Sequence, residues 1–295
     1  MPEAELVGVA DTLPGRAEEI ARPLGTSAFT DHRDLLGKVD AVSIATPTTT
    51  HASIGQEFLS EGTDVLVEKP ISNSIEAAGE LVTAAEKNAR ILQVGHLERF
   101  NPAVRELRRI VSNPRFFEAH RLGLFTPRSL DIDVILDLMI HDLDIISLLV
   151  GHPPAHVDAV GIAILSKRID IANARIHFAN GCVANVTASR VSMEKVRKLR
   201  LFQANQYISL DFTRQDVSVF SLTGAAGAGT PQISGSKLTP PHEEPLKLEL
   251  CAFLGAVRNR GPVECTGVDG IRALSLALEI HEQAEKAQAR EFDRR

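Results

Sequence analysis

The chain has 295 residues, of which 44% are hydrophobic and 24% charged, and its formal net charge at pH 7 is -6. This length is enough for two domains with full cores, and an acidic balance without long Lys/Arg blocks argues against a nucleic-acid partner. No apolar run approaches the roughly 20 residues that a membrane-spanning helix needs, and we expect no signal peptide. Composition therefore favours a globular cytoplasmic protein that binds neither membrane nor nucleic acid.

Three cysteines, Cys182, Cys251 and Cys265, lie far apart in the sequence. An odd number at such spacing fits neither a disulfide framework nor a zinc site. We therefore expect three separate buried thiols.

Residues 1–98 alternate between β-branched runs and helical patterns, as a parallel sheet with crossover helices requires. The predicted elements, in chain order, are strand 5–10, helix 16–24, strand 40–46, helix 50–61, strand 64–69, helix 74–88 and strand 90–96. The pattern predicts a doubly wound (Rossmann) domain.

Residues 99–295 have a different pattern. One helix (103–112), one strand (116–122) and a strongly apolar helix (133–149) precede a succession of strands joined by short turns. The predicted strands are 155–165, 170–180, 182–191, 198–212 and 216–222; two helices, 243–259 and 268–288, follow a Gly/Pro/Ser/Thr-rich segment, 224–245, that reads as a loop. This pattern predicts an α+β domain with an open, mainly antiparallel sheet. Such a sheet needs a cover, so we expect a homodimer or homotetramer formed through it.

Polar residues follow the predicted parallel strands where ligands bind in such folds. Asp11 ends the first strand, the position of an acid that binds adenosine ribose hydroxyls and favours NAD over NADP; its alternative role is helix capping. In SIATPTTTH, Thr46 and Pro47 lie at a strand tip and His51 near the start of the next helix, where backbone N–H groups can donate hydrogen bonds to phosphate or ribose. A plain strand-to-helix turn is the alternative.

The stretch VEKP places Glu68, Lys69 and Pro70 at the end of a buried strand. Charged residues there are costly unless they are paired or face a polar cleft. A Glu68–Lys69 pair is possible, but adjacent strand residues point to opposite faces. The pattern favours a lysine that faces a functional cleft.

The apolar helix DVILDLMIHDLDIISLL carries Asp133, Asp137, His141 and Asp144 within a narrow arc at 100° per residue. A thin polar stripe on a buried helix indicates a cavity, and an imidazole one turn from a carboxylate suits a general base. A core histidine satisfied by an aspartate is the alternative, and no metal site is expected because further ligands are not evident. Asp142 lies on the apolar side, where the pattern gives it no role.

The stretch VGHLERFNP places His96, Arg99 and Asn101 just beyond a strand tip, at the junction of the two predicted domains. This position favours contact with substrate. Ordinary polar loop residues are the alternative.

These motifs, TP with a later His, EKP, GHxxRFNP and DxxxHDxD, resemble in this order the Gfo/Idh/MocA family of sugar and cyclitol oxidoreductases along nearly the whole chain. The resemblance implies transfer of a hydride from a sugar hydroxyl carbon to the nicotinamide of NAD. Within the family, GHLERFNP, DLMIHDLD and DIANARIHFANGCVANVTASRVS are most similar to the bacterial branch that acts on nucleotide sugars. We therefore expect oxidation at C3 of a nucleotide sugar such as UDP-N-acetylglucosamine.

The resemblance also implies roles for the residues. Lys69 would hydrogen-bond the reacting hydroxyl, His141 would accept its proton, and Asp137 would orient this pair. The residues expected to line NAD are Asp11, Thr46, Pro47, His51, Glu68, Lys69 and Pro70, and those expected near the substrate are His96, Arg99, Asn101 and Asp144.

The chain departs from the family at its start. Family members begin with a strand, a G-x-G-x-x-G turn and a helix before the segment ADTLPGRAEEI at 10–20. We expect Met1 to be internal to a longer protein; a truly shortened chain would bind NAD poorly. An NAD-dependent glycosidase of the same fold and a non-catalytic sugar-binding or assembly subunit are the alternative functions.

Overall fold

The computed structural model describes residues 4–126, 132–223 and 232–292. The chain forms two compact units, Met1–Gly95 with Lys247–Ile271, and His96–Leu246 with Arg272–Arg295. The sequence predicted one domain boundary after residue 98, which put 247–271 in the second domain, whereas this segment belongs to the first unit. None of the helices in the described ranges is long and apolar enough to cross a membrane.

The segment 247–271 packs closely on the rest of the first unit at two of its glycines. A Cβ added at Gly267 would lie 2.5 Å from Val82, and one added at Gly270 would lie 2.8 Å from Val94. Larger residues at these positions would force the segment away from the sheet.

Parallel strands joined by helices form the body of the first unit. They are β1 (Gly8–Ala10), α1 (Pro14–Leu24), β2 (Ser27–Phe29), β3 (Ala41–Ile44), α2 (Thr48–Ser60), β4 (Asp64–Glu68), α3 (Ile75–Lys87) and β5 (Leu92–Gly95). β1 pairs with β2, and β3, β4 and β5 form a second sheet in that order. The central strand β4 is buried, with Val65, Leu66 and Val67 at most 3% exposed.

This order confirms the predicted incomplete doubly wound sheet. The complete fold has strand order 3-2-1-4-5-6, and removing its first strand leaves a pair and a triplet. In the part of the chain that the structure describes, no strand joins β1 to β3. The short strand β2 was not predicted, because three residues are too few to show an alternating pattern.

The second unit contains one large sheet with helices. Its elements are α4 (Pro102–Ile110), β6 (Phe116–Leu122), a π-helix (Ile135–Met139) continued by α5 (Ile140–Val150), β7 (Pro154–Ile162), β8 (Ile171–Phe178), β9 (Val183–Ser189), β10 (Val196–Gln203), β11 (Gln206–Asp211), β12 (Asp216–Thr223) and β13 (Gln232–Leu238). α6 (Pro245–Asn259) and α7 (Gly267–Phe292) end the chain's described part and each contribute to both units.

The sheet order is β13-β12-β11-β10-β6-β9-β8-β7. All neighbours are antiparallel except β6 and β9, which are parallel. The prediction of an open, mainly antiparallel sheet is confirmed: β7 to β9 and β10 to β13 are each neighbours in chain order, and β6 lies between β9 and β10. The Gly/Ser-rich segment 224–245, expected to be a loop, contains β13 paired with β12, while 224–231 lies outside the described residues.

The two faces of this sheet differ. Phe117, Ala119 and Arg121 of β6 are buried on the inner face, which contributes to a core shared with α4 and α5. On the outer face four aromatic rings follow one cross-strand row. They are Phe116, Phe202, Tyr207 and Phe220, with successive ring centroids 5.8, 5.1 and 5.8 Å apart. We call this row the aromatic ladder.

Cys182 and Cys265 are buried, as expected, but Cys251 is exposed. α6 turns Glu249, Phe253 and Ala256 inward, so Cys251 falls on its opposite side. The expectation of three buried thiols is wrong for Cys251 because helix periodicity places it toward solvent.

Candidate active site

His51 joins two strand tips of the first unit. It lies in the first turns of α2, its residue is only 1% exposed, and its Nδ1 and Nε2 lie 2.9 Å from the Pro70 carbonyl oxygen and 2.8 Å from that of Thr46. Pro47 precedes α2, so the positive end of this helix begins where β3 ends. The structure thus brings Thr46, His51 and Pro70 together at this edge, with Pro47 at the start of α2; their contact with NAD stays a prediction.

Glu68 and Lys69 occupy the adjoining tip of β4, and both are half-buried. The Glu68 carboxylate lies over Gly95 of β5, where an added Cβ would come within 3.1 Å of Oε2. It also faces the Lys69 backbone N–H, which donates to Oε2 at 3.3 Å. Burial raises the pKa of Glu68, against the opposing effect of the charges of Lys69 and His51. Glu68 and Lys69 are thus joined by a hydrogen bond from the Lys69 backbone N–H to the Glu68 carboxylate.

Asp11 lies at the tip of β1. Its Oδ1 accepts a hydrogen bond of 2.8 Å from the Leu13 N–H at the start of α1. The N-cap of α1 is Leu13 and no side chain caps this helix, so the contact closes a turn before α1 and the capping role offered as an alternative is wrong. A contact with ribose stays a prediction.

In the second unit, Asp133 lies immediately before the helical segment that starts with the π-helix. Its Oδ1 accepts from the N–H groups of Ile135 and Leu136 at 2.8 and 3.0 Å, and its Oδ2 lies 3.2 Å from His281 Nδ1. Burial opposes ionisation of Asp133, but the hydrogen bonds from His281 and the backbone outweigh it and lower its pKa.

The predicted arc assumed 100° per residue throughout, whereas residues 135–139 form a π-helix with a wider turn. Asp137 lies within this turn and His141 in the first turn of α5, and both residues are half-buried. π-helical turns are frequent at functional sites. The π-helical turn at Asp137 is therefore an observation, absent from the sequence pattern, that favours a functional role for this part of the helix.

Three residues predicted to contact substrate form one buried cluster. Arg99 donates to both carboxylate oxygens of Asp144, from Nε to Oδ2 at 2.8 Å and from Nη2 to Oδ1 at 2.6 Å. His96 Nδ1 lies 3.9 Å from Asp144 Oδ2. The side chains of His96, Arg99 and Asp144 are at most 3% exposed, so this cluster supports the segment from inside.

Asn101, also predicted to contact substrate, is 2% exposed. Its side chain caps α4 by accepting from the Ala103 N–H at 3.1 Å and donates to the Phe212 carbonyl oxygen at 3.0 Å. Asn101 therefore fixes the end of the 96–101 segment.

The sequence reasoning missed a second buried charge cluster. Arg121 donates to Asp142 at 2.7 and 2.9 Å and to Glu98 at 2.9 Å, and its guanidinium lies 4.9 Å from the centre of the Phe212 ring. The signal was present, because alternation in FFEAHRL places Arg121 on the inner face, where a charged side chain needs a partner. Asp142 on the apolar side of its helix is that partner.

The polar edge of the first unit fits a dinucleotide. Asp11 is an acid at the tip of β1, α2 begins at the tip of β3, and Glu68 and Lys69 end β4. These are the positions at which doubly wound folds hold ribose, phosphate and the reactive ring. Lys69 belongs to the first unit, and Asp137 and His141 belong to the second.

Comparison with known proteins agrees with this geometry. The family profile described as "Oxidoreductase family, NAD-binding Rossmann fold" matches residues 1–96, and the Gfo/Idh/MocA C-terminal domain profile matches residues 104–206. UDP-N-acetylglucosamine 3-dehydrogenase of Acidithiobacillus ferrooxidans is 40% identical over 278 residues, which are 94% of this chain and 89% of that protein. Inositol 2-dehydrogenase of Rhizobium meliloti is 27% identical over 97% of this chain and 91% of its own length.

A solved structure of the Acidithiobacillus enzyme superposes with a TM-score of 0.89 at 39% identity, covering 95% of this chain and 90% of that one. Both domains are therefore matched in sequence and in fold. The chain belongs to the Gfo/Idh/MocA oxidoreductase family, and it is an oxidoreductase with NAD as its cofactor.

Proposed function

We propose that this protein oxidises a sugar hydroxyl with NAD, and that its substrate is a nucleotide sugar such as UDP-N-acetylglucosamine, oxidised at C3. The relative that is 40% identical over 94% of the chain is named for this reaction. The inositol dehydrogenases among the relatives act on related polyhydroxylated rings. No observation favours the glycosidase or the assembly subunit.

The observation that carries the proposal is the position of Lys69. It ends a buried parallel strand, next to the polar tip of β3, in the unit that matches an NAD-binding family. An ammonium group there stabilises negative charge on a substrate oxygen as the hydroxyl loses its proton. NAD supplies the hydride acceptor when it is bound.

The second unit supplies the base in this proposal. His141 accepts the hydroxyl proton, and Asp137 from the π-helix orients the His141 ring. An imidazole has a basicity suited to this step near neutral pH. Lys69, His141 and Asp137 are therefore the proposed catalytic group.

Residues at the polar edge hold the cofactor in this proposal. Asp11 binds the adenosine ribose and favours NAD over NADP, while the residues around His51 and Glu68 line the dinucleotide. Direct contact of His96, Arg99, Asn101 and Asp144 with substrate also stays a prediction. The buried hydrogen bonds of Arg99, Asn101 and Asp144 support the additional proposal that these residues hold the segment 96–101 rigid.

We further propose a cytoplasmic homodimer or homotetramer, formed by packing the outer face of the large sheet on a second copy. The aromatic ladder supports this arrangement, since Phe202 and Phe220 are 38% and 43% exposed. Exposed apolar surface of this kind marks association surfaces.

The catalytic proposal is tested with Lys69→Met and His141→Gln, followed by NADH formation from UDP-N-acetylglucosamine. Each variant should lower kcat by about 10²- to 10⁴-fold, the range of general acid–base and charge-stabilising groups. Calorimetric titration should show NAD affinity within about threefold of wild type, because neither change removes the main binding surface.

Lys87→Met is the matched control, because Lys87 is an exposed lysine at the end of α3 in the same unit. It should leave kcat unchanged. Near-normal turnover by Lys69→Met and His141→Gln would refute the assigned roles. Release of UDP without net NADH would instead indicate the glycosidase.

A further inference from the structure

Glu249 is a buried carboxylate that the proposed mechanism does not use. It lies on α6 with 0% of its surface exposed, and within the described residues neither carboxylate oxygen has a hydrogen-bond partner. An ionised carboxylate without hydrogen bonds is strongly disfavoured in a protein interior. The location therefore favours a neutral carboxylic acid.

The charged group that acts on Glu249 is Glu68, at the tip of β4. Burial first, and the charge of Glu68 second, raise the pKa of Glu249 to about 8. Burial also raises the pKa of Glu68, but the backbone hydrogen bond from Lys69 and the charges of Lys69 and His51 oppose that rise and favour its ionised form. The buried Glu249 and the half-buried Glu68 do not readily ionise together, so at neutral pH the pair holds one proton, on Glu249.

The position of Glu68 is narrowly defined. Its Oε2 accepts from the Lys69 N–H, and the carboxylate rests directly on Gly95, where any side chain would meet it. A second negative charge at Glu249 would repel this carboxylate in an interior of low dielectric. The charge state of Glu249 thus bears on the backbone at Lys69.

We propose that Glu249 is a positioning residue that works as a neutral acid, keeping the Glu68 carboxylate, and through it the Lys69 backbone, in place. The role of Lys69 in catalysis rests on the proposed function. The role of Glu249 toward Glu68 does not, and a readout without substrate can test it.

The first experiment compares kcat of wild type and Glu249→Gln between pH 6.5 and 9. Glutamine keeps the shape and a hydrogen-bond donor but does not ionise. The two proteins should agree within about twofold at pH 6.5, where the acid is protonated. At pH 9, about one unit above the pKa, about a tenth of Glu249 stays protonated, so the variant should exceed wild type by up to about tenfold.

Glu86→Gln is the matched control, because Glu86 is an exposed carboxylate on α3 of the same unit. Its pH profile should follow wild type. The KM for the sugar should be similar in all three proteins, because Glu249 acts through Glu68 and not on the substrate. Superimposable profiles of wild type and Glu249→Gln would contradict the proposal.

The second experiment needs no substrate. The Lys69 amide, observed by ¹⁵N-lysine NMR, should shift with a midpoint near pH 8 in wild type and Glu86→Gln but not in Glu249→Gln. Thermal unfolding tests the same group through stability. Folding raises the pKa of Glu249 from 4.5 to about 8. Protonated Glu249 therefore stabilises the folded protein fully below pH 4.5, and this stabilisation is lost as the pH rises through 8. Glu249→Gln should therefore gain Tm relative to wild type at pH 9.

A Lys69 amide that titrates identically with and without Glu249 would overturn the proposal. This outcome is independent of activity. If no sugar were oxidised at all, the proposed function would fail while the NMR and unfolding measurements still decided the role of Glu249.

Discussion

Arg99 and Asp144 neutralise each other in the interior of the second unit. Their side chains are 3% and 2% exposed, and the guanidinium binds both carboxylate oxygens. Desolvating two charges is expensive, and the bidentate geometry offsets that cost only while both partners are present. The pair is thus more sensitive to loss of one member than to replacement of both.

We predict that Asp144→Asn destabilises the protein by about 3–5 kcal/mol, because it leaves the Arg99 charge buried without its carboxylate. The double variant Arg99→Met/Asp144→Leu should lose less than Asp144→Asn. Urea unfolding at pH 7 measures both values.

The exposed pair Arg16–Glu19 provides the control, with side chains 59% and 69% exposed. Glu19→Gln should change the free energy of unfolding by less than about 0.5 kcal/mol. Equal losses for Asp144→Asn and Glu19→Gln would show that the buried pair contributes no more than a surface pair.

Single residues of the candidate site could be selected from the sequence, but their partners could not. Strand-end position identified Arg99 and Lys69, and the polar arc on the apolar helix identified Asp144, because charges next to apolar runs are unusual. The pairing of Arg99 with Asp144, 45 residues away, depends on how the helices pack. Glu249 was missed because one acid in an amphipathic helix looks like an ordinary surface residue until its burial is known.

At the scale of elements, the π-helix 135–139 is a feature of the apolar helix that the sequence pattern did not predict. Sequence periodicity assumes 3.6 residues per turn, and a wider turn inside an apolar run leaves no compositional mark. The helix itself was predictable from its apolar run, but the wider turn at residues 135–139 was not. The strand β13 was missed similarly, because Gly and Ser residues in 232–238 disfavour the strand that pairing with β12 imposes.

α7 holds the start of the π-helical segment through His281 and Asp133. The hydrogen bond to Asp133 raises the pKa of His281, which is partly buried. This stabilisation is therefore complete below the usual histidine value of 6.5 and is lost as pH rises through the raised pKa. The lowered pKa of Asp133 adds stability above 3.8 that is lost on further acidification.

We predict that His281→Gln lowers stability by about 1 kcal/mol at pH 5.5, where both partners are charged, and by much less at pH 9. Thermal unfolding at the two pH values measures the difference. His156→Gln is the control, since His156 pairs with Asp158 on the surface with 63% of its side chain exposed. A loss for His281→Gln that does not vary with pH would contradict a charged contact.

At the scale of the whole molecule, the open face of the eight-stranded sheet is the feature most relevant to assembly. Its inner face is covered by helices, and its outer face carries the aromatic ladder. The architecture of both units was predictable because alternation of strands and helices, and then succession of strands, each allow few topologies. The place of β6 beside β9 was not, since non-local pairing has no local signal.

We predict that Phe202→Glu converts a dimer or tetramer into monomers at micromolar concentration, because a charge in the middle of the ladder opposes burial of that face. Light scattering coupled to size-exclusion chromatography measures the mass. Met193→Glu is the control, since Met193 is an apolar residue, 93% exposed, outside the ladder. A monomeric wild type would refute assembly through this face.

The placement of the thiols has a practical consequence. Cys251 faces outward from α6, while Cys182 and Cys265 are buried, and burial raises the pKa of Cys182 to about 11. Thiolates react far faster than thiols, so a maleimide dye would attach to Cys251 in strong preference to Cys182. Cys251 is two residues from Glu249 on α6. The native chain therefore already carries an attachment point for a fluorescent reporter close to this buried acid.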